Sequence, residues 1–134
     1  MYRSKEADLS FKFGDHGPGY LFRGPLTDVG IVRLRPGDEY VNHYHARSEN
    51  VFYTMEGEAI LWSERRDRFV LRPGDLHRCD PGEMHYLVNE GATVWRALFV
   101  RAPHDPSDTI QAPWRPGEPV EPVATEELDR PTTR

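Results

Sequence analysis

The sequence predicts an all-β domain, a sandwich or a small antiparallel barrel. Two observations predict it. Short runs rich in Val, Ile, Phe, Tyr and Trp recur from Tyr20 onward, separated by turn signals that each contain a glycine. No stretch of ten or more residues in this region carries a convincing 3.6-residue period.

Taken in order, residues 1–18 are polar, with glycines near the end (FGDHGPG), and read as a leading arm. The barrel is expected over 19–102. Its strands are YLF, VGIVRLR, VFYTM, AILW, RFVL, HYLV and TVWRALFV. The turns between them are RPGDE (Arg35–Glu39), MEGE (Met55–Glu58), RPGD (Arg72–Asp75), DPGE (Asp80–Glu83) and NEG (Asn89–Gly91). Pro-Gly presets one backbone angle and frees the next. Residues 103–134 form a Pro-rich C-terminal extension that cannot join a central strand. It either wraps the barrel, anchored by Trp114, or hangs free. The last residues, ATEELDRPTTR, have room for one helical turn.

Composition narrows the function. Seventeen basic and 22 acidic side chains leave a net charge of −5, which gives no attraction to phosphate and argues against nucleic acid as a partner. No apolar run approaches the roughly 20 residues needed to cross a bilayer, and MYRSKEADLSF lacks a signal-peptide core. The single cysteine, Cys79, excludes an internal disulfide. A cytoplasmic protein without membrane contact is the expectation.

Chemistry concentrates in EYVNHYHARSEN, Glu39–Asn50. On a strand, residues i and i+2 share a face, so His43 and His45 present two imidazoles side by side. Neutral imidazole is the commonest metal ligand. The RPGD turn recurs at Arg72, and a strand and then His85 follow it, as His43 follows the first.

These two segments resemble the cupin superfamily, in particular its small single-domain members. The family's motifs are G-x5-H-x-H-x3/4-E-x6-G and G-x5-P-x-G-x2-H-x3-N. Here they read GDEYVNHYHARSENVFYTMEG, Gly37–Gly57, and GDLHRCDPGEMHYLVN, Gly74–Asn89. The resemblance implies a small antiparallel β-barrel of jelly-roll type. It also implies a divalent transition metal (Fe, Mn, Ni, Zn or Cu) near one mouth, bound by His43, His45 and His85. Two departures stand out. Asp80 occupies the usual proline position, with Pro81 next. The carboxylate ligand falls on Asn50 when counted back from Gly57, with Glu49 one residue earlier. Adjacent strand residues face opposite sides. Either a bulge turns Glu49 inward, or three histidines form the site with Asn50 beside the metal.

The resemblance implies a metal-dependent enzyme of dioxygenase, isomerase or lyase type acting on a small polar oxygenated molecule. Glu49, His77 and Tyr53 are the acid–base candidates. The alternative is a non-catalytic module that binds a sugar or organic acid. Arg33, Arg35 and Arg96 interrupt apolar strands, and either face solvent or clamp a substrate anion. Asn89 is expected to brace its hairpin. Unpaired strand edges suggest a homodimer.

Overall fold

The computed structural model describes residues 1–120. The turn expected near the C-terminus lies outside the described residues. Ten strands follow a short 3-10 turn at Glu6–Asp8: β1 (Gly17–Arg23), β2 (Asp28–Leu34), β3 (Glu39–His45), β4 (Glu49–Glu56), β5 (Ala59–Ser63), β6 (Asp67–Leu71), β7 (Leu76–Cys79), β8 (His85–Val88), β9 (Trp95–Ala102) and β10 (Thr109–Gln111). They form two five-stranded antiparallel sheets, ordered β1-β2-β9-β4-β7 and β10-β3-β8-β5-β6. The all-β expectation holds.

The Pro-Gly turns share one chemistry. In Arg35–Asp38, Arg72–Asp75 and Asp80–Glu83 the last amide donates to the first carbonyl, at 2.9, 2.9 and 3.0 Å. In each, the glycine has a positive φ (89°, 92° and 81°), as a type II turn demands. The two RPGD turns are closed further by their aspartates, which accept from the amides of Arg35 and Arg72. Gly57 is required differently. Its φ is 69°, and a Cβ there would meet the Val94 carbonyl oxygen at 2.2 Å.

The core fills the space between the sheets. Along β9, Trp95, Ala97 and Phe99 alternate inward, against Val32, Leu34, Phe52, Leu61 and Leu87. Trp95 is fully buried, and its Nε1 donates to Thr54 Oγ1 at 3.0 Å, so its one polar atom is satisfied. Asn89 braces its hairpin as expected. Its Nδ2 donates to the carbonyls of Leu34 and Thr93, and its Oδ1 accepts from the Gly91 amide.

Over residues 103–120 the chain wraps the barrel. β10 adds to the edge of β3, pairing Thr109 with His45 and Gln111 with His43. Trp114 is buried against Trp62 and Tyr86, with ring centroids 5.9 and 6.3 Å away. Asn42 Nδ2 donates to the Ala112 carbonyl at 2.9 Å and ties the wrap down.

Candidate metal centre

The orientation of the histidine pair depends on a defect in β3. Tyr40 lies opposite Leu87, and His43 opposite His85, so three steps along β3 match two along β8. Tyr40 packs against the core, and on a regular strand a residue three positions further would face outward. The extra residue reverses that parity. His43 and His45 therefore turn inward to meet His85.

The three imidazoles converge. Ring centroids lie 4.3 Å apart for His43 and His85, 5.2 Å for His43 and His45, and 5.7 Å for His45 and His85. One nitrogen from each lies within 4.8 Å of the other two. Every Nδ1 is engaged elsewhere: His43 with the Val41 carbonyl (2.6 Å), His85 with the Glu83 carbonyl (3.2 Å) and His45 with Thr109 Oγ1 (3.0 Å). Nδ1–H bonds to carbonyls leave Nε2 as the lone-pair donor. Nε2 of His85 is buried and has no partner. An unpaired buried nitrogen costs free energy, and a cation is a partner that removes the cost. These residues fit a metal ion.

Asp108 supports His45 from below, its Oδ1 3.5 Å from Nδ1. Burial opposes charge on Asp108, but hydrogen bonds from Ser48 and the Arg47 amide outweigh it and hold the pKa below the usual carboxylate value. Burial depresses all three histidines. For His45 the neighbouring His43 and Arg101 add to burial, Asp108 opposes them, and the pKa falls to about 4.

The sign of the pH effect follows. Above about pH 6.5 both folded and unfolded chains hold these rings neutral. As pH falls towards about 4, the unfolded chain takes up protons that the folded chain refuses. The metal-free protein should therefore lose stability over that window, by up to about 1.4 kcal/mol per pH unit for each such histidine. Urea midpoints from pH 7 to 4.5 test this. A His45→Gln chain should show a shallower decline, and identical slopes would contradict the reading.

His43 and His45 of the triad line a cavity of about 550 Å³. Tyr20, Tyr40, Phe52, Phe99 and Arg101 line its wall, and Lys12 and Arg23 also border it. Arg101 donates from Nε and Nη2 to Asp28 Oδ2 at 3.2 and 3.1 Å, and from Nη2 to the Tyr20 hydroxyl at 3.0 Å.

Glu49 is not part of this group. β4 pairs with β9 without a shift from Glu49 to Thr54, so the inward bulge does not form. Asn50 faces the cavity and is buried, its Nδ2 3.5 Å from His45 Nε2. Glu49 turns away and lies near Arg78, 3.9 Å from Nε. Tyr53, on the same outward face, is 42% exposed. His77 faces inward, paired across from Phe52, but sits beside Phe69 and does not line the cavity. Thus none of the three acid–base candidates borders it. Arg35 and Arg96 are outward too, paired with Asp38 and with Glu6 and Glu56, and Arg33 lies over the Phe11 ring. The arginines that border the cavity are Arg23 and Arg101, and Arg101 is the one on a core strand. Strand alternation from Trp95 and Phe99 carried the signal that could have found it.

A family model described as Cupin domain matches residues 30–101, more than half of the chain. No curated protein matches. Among solved structures, a double-stranded β-helix protein from Klebsiella pneumoniae is 19% identical, with a TM-score of 0.71 over 84% of this chain and 96% of that one. The polyketide cyclase RemF from Streptomyces resistomycificus is 18% identical, with a TM-score of 0.73 over 86% and 87%. The capsular polysaccharide assembling protein CapF from Staphylococcus aureus is 17% identical, with a TM-score of 0.70 over 79% of this chain and 34% of that one. The matched strands, the two Pro-Gly-led motifs and the neighbours agree: this chain belongs to the cupin family.

Proposed function

We propose that this protein is a metal-dependent enzyme whose cavity takes a small oxygenated anion, with His43, His45 and His85 holding a divalent transition metal. The observation that carries the reading is the convergence of three imidazoles, each fixed through Nδ1. A cation held there supplies Lewis acidity toward oxygen atoms of the bound molecule.

The residues around it define the rest. Three cationic side chains, Lys12, Arg23 and Arg101, border the cavity of a chain whose net charge is negative. Among cavity-lining residues the carboxylate is Glu39, already engaged by Arg115 and Tyr86. The field in the cavity therefore favours an anion, and Arg101, whose Nε and Nη2 are held by Asp28 and Tyr20, keeps Nη1 to donate to one. The aromatic walls suit a flat ligand. The Tyr40 hydroxyl is buried without a partner, and burial pushes its pKa up, so it stays protonated and donates to the ligand. Asn50 Oδ1, also buried and unpartnered, is a further polar contact at the triad. Cupin-fold neighbours include a polyketide cyclase and a capsular polysaccharide assembling protein, so this cavity's own lining is the better guide to its ligand.

One observation favours the second reading, a binding module without turnover. Among the described residues, no free carboxylate faces the cavity to move protons. Chain loaded separately with iron, manganese, nickel or zinc and given small aromatic and 2-oxo carboxylates separates the two. Metal-dependent loss of substrate, reduced at least tenfold by Tyr40→Phe, supports the enzyme. Saturable binding with no conversion under any metal replaces it with the binding module, and absence of binding removes both.

A further inference from the structure

A second set of donors lies outside the cavity, where β7, an edge of the first sheet, runs into the Asp80–Glu83 turn. His77 and Cys79 stand two residues apart on β7, opposite Phe52 and Asn50, and so face inward together. Glu83 enters from the turn. One imidazole nitrogen, the Cys79 Sγ and one Glu83 oxygen all lie within 4.8 Å of one another.

Packing alone does not account for this arrangement. Nε2 of His77 is shielded from solvent and has no hydrogen-bond partner. Cys79 is a free thiol, only 1% exposed. The Glu83 carboxylate is held in place from both sides: Oε2 accepts from Ser63 Oγ at 2.9 Å, and Oε1 from the Asp80 amide at 3.3 Å. An oriented carboxylate, an orphaned imidazole nitrogen and a buried sulfur around one point make a ligand set, not an apolar contact.

We propose that His77, Cys79 and Glu83 form a second metal site, separate from the histidine triad, for a thiophilic divalent cation such as zinc. Sulfur, nitrogen and carboxylate oxygen are the three donor types zinc takes, at about 2.0–2.3 Å. Side chains now within 4.8 Å need to close by about 1 Å to reach those lengths. Water completes a four-coordinate shell. Burial pushes the free Cys79 thiol up, so it is protonated before binding. On binding, the Sγ–H bond breaks, a sulfur–metal bond forms and the proton leaves to solvent.

The site also has a structural consequence. The Glu83 carbonyl accepts from Nδ1 of His85, so a cation that fixes Glu83 steadies the third imidazole of the triad.

Cobalt(II) is the probe. Cys79 is the only cysteine, so any thiolate-to-cobalt charge-transfer band in the near ultraviolet reports this site. The unaltered chain should bind a second equivalent of cobalt and show the band. A His43→Ala/His45→Ala chain should keep the band while losing the triad's equivalent. Cys79→Ser should abolish the band, and His77→Leu should weaken cobalt binding at this site at least tenfold. The His77 variant carries the test if the core serine impairs folding. A folded, cobalt-loaded chain without the band overturns the proposal. So does a band that vanishes with the triad or survives His77→Leu unchanged. Failure of the triad to bind metal would leave the band intact, which keeps this proposal distinguishable from the function proposed above.

Discussion

A His85→Ala chain should bind metal at the triad at least about a hundredfold more weakly than the unaltered protein. The magnitude follows from a comparison. Removing only the hydrogen-bond partner of a ligating histidine costs about 10–100-fold in affinity, so removing the ligand should cost at least the upper end. His85 is also the member that cannot be replaced locally. It comes from β8, whereas His43 and His45 share β3, and two adjacent imidazoles alone leave half a site. The residue is 1% exposed, and its ring lies 4.3 Å from His43 and 6.3 Å from Phe52. The measurement is a competitive zinc titration against a chromophoric chelator, in a Cys79→Ser background so that only the triad is read. Circular dichroism checks folding. His43→Ala, at a half-buried position beside the cavity, should give a loss of the same order with less risk to the core. Thr109→Val removes the hydroxyl that meets His45 Nδ1 and should cost about tenfold. Unchanged affinity in both His85→Ala and His43→Ala would mean that the triad is not a metal site.

Which parts of this centre were legible in sequence follows from how local each determinant is. The Pro-Gly turns were readable because proline and glycine carry their backbone angles with them, and the structure uses all three alike. The side-by-side placement of His43 and His45 was readable from the two-residue period. That they face inward was not, because it depends on an extra residue between Tyr40 and His43 that only the pairing with β8 reveals. Glu49 and Asn50 were readable as a pair of opposites, and the register of β4 on β9 chose between them. β10 was hidden by the prolines on either side of it, Pro106 and Pro113, and by its three exposed residues, which show no apolar alternation. Yet it brings Thr109 to His45 and Gln111 to the cavity, so the Pro-rich extension helps build the site. Arg101 was readable only in half. Strand alternation gives its side, but its partner Asp28 lies 73 positions away, where nothing in the local sequence points to it.

That pair is the place where a single change should damage both stability and ligand binding. Asp28 is fully buried and spends both oxygens: Oδ1 accepts from the Gly24 amide at 2.9 Å and from His104 Nδ1 at 2.7 Å, and Oδ2 accepts twice from Arg101. Arg101→Met keeps the aliphatic bulk and removes the charge. It leaves a buried carboxylate with half of its partners, and breaking such a pair costs about 3–5 kcal/mol. Guanidinium midpoints read that loss. The same substitution should remove anion binding in the cavity, because the guanidinium charge that borders it is gone. The two effects separate in the double variant Asp28→Asn/Arg101→Met. Without a charge to leave uncompensated, the fold should regain most of its stability, while binding of a small carboxylate stays lost. Arg101→Lys should sit between, keeping charge but losing the paired Nε and Nη2 donors that converge on Oδ2. If the double variant regains anion affinity along with stability, Arg101 shapes the barrel without touching the ligand, and the anionic substrate class loses its main support.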